Sequence, residues 1–262
     1  MANFTAEQKD EISYGSLFSG IGAMDKGFYD AGWCCKWQVE INQFCQRVLA
    51  KHWPQVKRFE DVRNVGKHNL QPVMAIVGGF PCQDISEANT TGAGLFGSKS
   101  GLWWEFHRVI GELRPRYVFV ENVSNLSNRG IERVLGSLAE IGYDAEWEIV
   151  PACAFGAPHT RERMFIVAYS QRTEWGPLSS ARRDMDNSNN GLRQGWQKSS
   201  GWATGSHKPL DRGTWASEPG ICRVANGVAD RMDRLTGLGN AVVPEVAEFF
   251  ARLILRHLLT SA

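Results

Sequence analysis

The chain has 262 residues, 43% hydrophobic and 22% charged, with 29 Lys and Arg against 28 Asp and Glu. That length admits one large domain with room for a small one, no apolar run reaches the roughly 20 residues that span a bilayer, and residues 1–14 are too polar for a secretory signal. Membrane, disordered-tail and small disulfide-scaffold classes are excluded, while the formal charge of +1 announces no nucleic-acid partner but leaves room for a local basic face.

In chain order, an apolar strand-like run at 16–18 enters a glycine turn, and 35–40 reads as a second strand. Phe44, Val48 and Leu49 then fall at helical spacing. A third run, 75–77, ends in Gly78 and Gly79. Phe106, Val109, Ile110 and Leu113 follow the 3.6 period, and the run 117–120 leads into Glu121, Asn122 and Val123. Val134, Leu135, Leu138 and Ile141 mark another helix, and 146–150 and 165–168 supply two more strands. Strand and helix in turn predict a parallel α/β sheet with ligands beyond the carboxyl ends of its strands.

The composition changes after Ser170. Residues 171–234 are rich in Ser, Gly and Asn, carry Trp175, Trp196, Trp202 and Trp215, and hold seven basic against four acidic residues over 172–212. The stretch reads either as a solvated insertion or as a segment that meets nucleic acid with cations and stacking rings. Pro244 then opens a helix with an apolar stripe of Val246, Phe249, Phe250, Leu253, Ile254 and Leu258, expected to pack back on the first part. The expected organisation is a catalytic and cofactor-binding domain at 1–170, a short recognition region at 171–234 and a C-terminal segment at 235–262.

Several positions carry chemistry. Phe18, Gly20 and Gly22 form a turn open to a ligand, with Asp25 where dinucleotide enzymes place a third glycine. Glu40, 18 residues beyond Gly22 at the next strand end, suits two ribose hydroxyls. Asp61 reads as a surface acid or an adenine contact. Six cysteines are present without a C-x-x-C pair or a zinc-type ligand spacing, so no metal site is expected. Cys82 stands apart, in a Gly/Pro loop just past a strand, where it reads equally as nucleophile or structural thiol. Glu121 at its strand end reads as a raised-pKa acid or as a cap. Arg161 and Arg163, two apart on an extended segment, face one side and could bind an anion or a polarised carbonyl.

Taken together, these pieces resemble the cytosine-C5 DNA methyltransferases. The matching motifs, in order, are Phe18-x-Gly20-x-Gly22 with Gly27-Phe28, Gly79-Phe80-Pro81-Cys82-Gln83, Glu121-Asn122-Val123, Arg161-Glu162-Arg163, and Gly239-Asn240-Ala241-Val242-Val243-Pro244. The resemblance implies a Rossmann-like S-adenosyl-L-methionine-dependent methyltransferase sheet with a small, irregular target recognition region. It implies that the Cys82 thiolate attacks C6 of a cytosine flipped out of duplex DNA. Glu121 would hold N3 and the exocyclic amine, Arg163 would hold O2, and Arg161 would support the loop. Phe18, Gly20, Gly22, Glu40, Asp61, Val62, Pro81, Asn240 and Val242 would line the cofactor pocket.

The implied setting is the cytoplasm of a prokaryotic or phage-infected cell. There the protein would be a monomer acting on duplex DNA, away from membranes, with a cognate restriction endonuclease as a candidate companion. Two departures stand out. His159 occupies the place of the family's usual Gln, and the region between the arginine motif and Gly239 is short. Competing readings are a non-catalytic nucleic-acid-binding protein of the same fold, a tRNA cytosine methyltransferase and, more remotely, a dinucleotide oxidoreductase. The Cys-Phe-Thr signature of the tRNA-acting branch is absent.

Overall fold

The computed structural model describes residues 12–81, 101–128, 130–157, 159–170 and 230–260. Cys82 and the tryptophan-bearing segment 171–229 lie outside the described residues. The strands are β1 (Ser13–Leu17), β2 (Cys34–Val39), β3 (Lys57–Phe59), β4 (Ala75–Gly78), β5 (Tyr117–Val123), β6 (Tyr143–Pro151) and β7 (Glu162–Ser170). The helices are α1 (Ala23–Asp30), α2 (Gln43–His52), α3 (Leu102–Leu113), α4 (Ile131–Glu140), α5 (Arg231–Asn240) and α6 (Pro244–Thr260). Among the described residues no helix is long and apolar enough to cross a membrane.

The seven strands form one sheet in the order β3-β2-β1-β4-β5-β7-β6. β1 to β5 pair in parallel, as expected. The expectation of a wholly parallel sheet fails for one strand, β7, which runs antiparallel to both β5 and β6, while β6 keeps the direction of the others. The reason is the connection. Between Pro151 and Glu162 lies only one short 3-10 turn, Ala152–Phe155, and not the crossover of a dozen or more residues that parallel neighbours need. The chain therefore turns back, and hydrophobic periodicity alone carries no record of that direction.

β5 explains why its run reads as continuously apolar. Tyr117 and Phe119 point to one face, Val118 and Val120 to the other, and all four are fully buried. On one face they meet Phe28, Trp33, Val246, Phe250 and Ile254 of the α1/α6 layer. On the other they meet Trp103, Phe106, Val109, Val134 and Leu138 of α3 and α4. α6 lies so close to α1 that a Cβ at Gly27 would sit 2.4 Å from the Pro244 carbonyl oxygen. The Trp33 indole N–H also donates to the Ala251 carbonyl at 3.2 Å.

The strand order reverses between β1 and β4, so the loops leaving those two strands diverge to opposite sides. This opens a crevice at the carboxyl edge. Three elements had no counterpart in the sequence reading: α1, β3 and α5. β3 is a three-residue edge strand carrying two charges, and α5 is a largely polar helix that runs across position 235.

Candidate active site

The crevice is a cavity of about 610 Å³. Phe18, Gly20, Glu40, Asp61, Val62, Pro81, Glu121, Arg163, Asn240 and Val242 all line it, although they come from seven separate stretches of chain. Gly22 and Arg161 stand outside its wall. Ile41, Asp233 and Thr236 line it as well and were not anticipated. Ile41 is 65% exposed, an isolated apolar side chain at the rim that no periodic pattern would select.

The cofactor end is built at the tips of β1 and β2. Phe18 adopts φ 54°, a left-handed backbone unfavourable for a side-chain-bearing residue, and Gly20 and Gly22 follow at φ 57° and 82°. The turn is held by the Ser19 N–H donating to Val39 O at 3.1 Å and the Gly22 N–H donating to Ser19 O at 3.0 Å. Its ring lies 6.1 Å, centroid to centroid, from Phe106. The Glu40 carboxylate accepts from the Gly20 N–H at 2.7 Å and from the Asn42 N–H at 2.8 Å. Each oxygen thus has one backbone partner and keeps a lone pair for a ligand. Gly22 serves from behind: a Cβ there would be 2.5 Å from the Trp53 ring, so the loop can close only on glycine.

Asp61 precedes the 3-10 turn Val62–Asn64 and caps it by accepting from the Arg63 N–H at 3.0 Å. The Arg63 guanidinium forks onto the same carboxylate, with Nη2 2.7 Å from Oδ2, and this bonding holds the acid below the ordinary carboxylate range. The turn is clamped by Arg108 of α3, whose guanidinium donates to the carbonyls of Val62 and Val65 at 3.0 and 2.9 Å. Glu105 and Glu112 pair with the same group.

At the reactive end, Glu121 and Asn122 sit within the last rungs of β5 rather than after it, opposite Phe165 and Met164 of β7. Glu121 is 9% exposed, and its Oε1 meets the Arg163 Nε at 2.9 Å. Burial pushes its acid up to about 7 even though Arg163 and Arg161 pull it down. The carboxylate rests on the backbone of Gly79, where an added Cβ would lie 2.6 Å from Oε2. Asn122 Nδ2 donates to the Phe80 carbonyl at 3.1 Å, so β5 grips the chain just ahead of Pro81. That bond joins two motifs with no fixed sequence spacing and left no signal in either.

The paired arginines part company. Arg163 turns to Glu121 in the cavity, whereas Arg161 donates to the Gly239 carbonyl beside Asn240, tying β7 to the end of α5. Burial and the neighbouring Arg163 charge lower the Arg161 pKa. His159 is exposed.

Comparison with known proteins agrees with this geometry. The family model of the C-5 cytosine-specific DNA methylases matches residues 12–201. The type II methyltransferase M2.BsuMI of Bacillus subtilis (strain 168) is 33% identical over 161 residues, 58% of this chain and 41% of that protein. M.Sau3AI of Staphylococcus aureus is 31% identical over 182 residues, 62% of this chain and 44% of that protein. The crystal structure of a protein assigned as a DNA modification methyltransferase, encoded within an E. coli prophage, superposes with a TM-score of 0.53. It is 26% identical, and the match covers 63% of this chain and 48% of that one. The chain spans less than half the length of each of these relatives. With the family model matched from β1 through β7 and beyond, the chain belongs to the C-5 cytosine-specific DNA methylase family.

Proposed function

We propose that the protein is a DNA (cytosine-5-)-methyltransferase that uses S-adenosyl-L-methionine and acts on duplex DNA, in a restriction–modification or phage/host DNA-protection setting. The observation that carries this reading is the reactive end of the cavity. A buried, readily protonated carboxyl lies on the glycine that begins the Gly79-Phe80-Pro81-Cys82 loop, with an arginine on its other side. The residues at the opposite end fit the cofactor. The Gly20 and Gly22 turn brings backbone close to a ligand, Glu40 offers oriented oxygens to a ribose, and Phe18 offers a ring to an adenine. The cavity volume suits a small-molecule cofactor beside a single base.

When bound, S-adenosylmethionine supplies an electrophilic methyl group. The Cys82 thiolate adds to C6 of the flipped cytosine, which makes C5 nucleophilic. Glu121 in its protonated form donates toward N3 as negative charge develops in the ring and accepts from the exocyclic amine. Arg163 donates to O2, already oriented by its bond to Glu121. After transfer, the C5 proton passes to water, its electron pair forms the C5–C6 double bond, and the C6–S bond breaks to return the Cys82 thiolate and restore the aromatic ring. Arg161 steadies the site through Gly239, next to the cofactor-side Asn240. The basic, tryptophan-bearing region 171–234 is assigned to target recognition, between the catalytic part at 1–170 and the segment from 235.

The test is tritiated S-adenosylmethionine with mixed duplex DNA, comparing wild type with Cys82→Ser. Label recovered in 5-methylcytosine with wild type and lost in the variant is the expected result. Cofactor binding without label on DNA would overturn the substrate assignment.

A further inference from the structure

We propose that Asp25 is a positioning residue for the cofactor, whose buried carboxylate fixes the two strand ends that carry Phe18 and Glu40. The inference rests on the reading of the cavity as a cofactor site. Asp25 lies in the first turn of α1, is 0% exposed and does not line the cavity, so it acts only through its neighbours. Its Oδ2 accepts from Ser16 Oγ at 3.0 Å and its Oδ1 from Gln38 Nε2 at 2.8 Å. Ser16 and Gln38 are cross-strand partners in the β1/β2 ladder. Ser16 lies two residues before Phe18 and Gln38 two before Glu40. One carboxylate therefore bridges the rung from which both ligand-facing residues depart, on the helix that the glycine turn itself starts. Tyr14 strengthens the anchorage by donating its O–H to the Asp25 backbone carbonyl at 3.1 Å, and the Cys35 thiol sits 3.8 Å from Oδ1.

The surroundings show what this arrangement costs and why a filler residue is a poor account of it. Gln38 Oε1 is buried with no hydrogen-bond partner among the described residues. The amide keeps its NH2 toward Asp25 and leaves its own carbonyl unpaired, an orientation that only an accepting partner favours. An apolar side chain of similar volume would fill the space without desolvating a carboxylate. What it could not do is hold β1 and β2 in one fixed relation at the edge where Glu40 reaches across to the Gly20 N–H at 2.7 Å. Without that tie the distance between the Phe18 ring and the Glu40 carboxylate is free to vary, and ligand binding must order it.

The experiment is calorimetric titration of the purified chain with S-adenosylhomocysteine, alongside KM for S-adenosylmethionine, kcat at saturating cofactor, and thermal unfolding. Asp25→Ala is expected to weaken binding about tenfold or more and to raise KM in step, with kcat falling by less than about threefold. Asp25→Asn is expected to recover most of the affinity. Its amide oxygen accepts from Ser16, and its NH2 donates to Gln38 once that amide turns over. Should Asp25→Ala fail to fold, Ser16→Ala and Gln38→Met each remove one tie and are each expected to cost about three- to tenfold in affinity. Affinity within about twofold of wild type in the folded variants overturns the proposal, as does equal loss in Asp25→Asn and Asp25→Ala. A wild-type chain that binds no S-adenosylhomocysteine instead overturns the functional reading, and this inference with it.

Discussion

The strongest quantitative consequence concerns Glu121→Gln and the pH dependence of stability. In the folded protein burial raises this acid from its ordinary 4.5 to about 7. A gap of roughly 2.5 pKa units is worth roughly 3 kcal/mol at 1.36 kcal/mol per unit. The sign follows from proton linkage: the folded state holds the proton more tightly than the unfolded one. Stability from this group is therefore greatest below pH 4.5, falls as the pH rises toward 7, and stays low above it. The glutamine variant has no such titration. Arg163, 2.9 Å away, has a charged partner in the wild type only where Glu121 is ionised, and that attraction is already contained in the value of about 7; the arginine itself stays protonated throughout. Asp25, raised to about 6 by burial, titrates in the same window but is present in both proteins and cancels in their difference. Between pH 4.5 and pH 8 the variant should therefore gain about 3 kcal/mol on the wild type. At about 2–4 °C per kcal/mol for a domain of this size, the unfolding temperatures should diverge in the variant's favour by about 6–12 °C. Differential scanning calorimetry at matched ionic strength measures this directly. Parallel curves, or a gap closing toward alkaline pH, would show that the Glu121 carboxyl is not desolvated in the fold and would remove the basis for treating it as a proton donor at neutral pH.

Substitutions at two further positions probe the scaffold. Gly27→Ala adds helix propensity worth about 1 kcal/mol, but its Cβ meets the Pro244 carbonyl at 2.4 Å and the Glu248 nitrogen at 2.7 Å, so α6 must move. Overpacking of this kind costs about 1–3 kcal/mol, and a net fall in unfolding temperature is expected; a rise would mean that α1 and α6 are not in close contact. Arg108→Ala removes the donors to Val62 and Val65, and Arg108→Lys cannot replace the fork. Both should weaken S-adenosylhomocysteine binding by several-fold in calorimetry, since Asp61 and Val62 lose their clamp, and unchanged affinity would detach that turn from the site.

The parts of the fold that were legible in the sequence are those where one residue type answers to one physical demand. β5 had to be apolar on both faces because helices cover both, and it reads so from Tyr117 to Val120. Gly20 and Gly22 had to be glycine for their positive φ, and the stripe from Val246 to Ile254 had to face the sheet. What escaped was direction and polarity. The antiparallel return of β7 depends on the length of the link after Pro151, not on the pattern of the strand. β3 carries Lys57 and Arg58 at a sheet edge, where hydrophobic alternation is not required. α5 covers the cavity through Asp233, Thr236 and Gly237, residues whose helix propensity is poor and whose place is set by what lies beneath them.

The same distinction separates the cavity wall from its supports. Glu40, Pro81 and Glu121 of the cavity wall stand at or just past strand ends, and strand ends can be found from periodicity, so these residues could be assembled before any coordinates. The bonds that hold this wall in place obey no spacing. Asn122 reaches the Phe80 carbonyl across 42 positions, Arg108 reaches Val62 across 46, and Asp25 reads in sequence only as a residue in the place of a third glycine. Arg161 and Arg163 show the limit most plainly. Their i, i+2 spacing reads as two side chains on one side of an extended segment, yet spacing says nothing of the partners waiting there. Two guanidinium groups side by side repel, and among the described residues the buried Glu121 carboxyl pairs directly with Arg163. Arg163 takes Glu121 and Arg161 takes the Gly239 carbonyl. A pair that looks like a single anion clamp is thus divided between the Glu121 carboxyl and the turn that carries Asn240, and this division ties the two ends of the cavity to one stretch of chain.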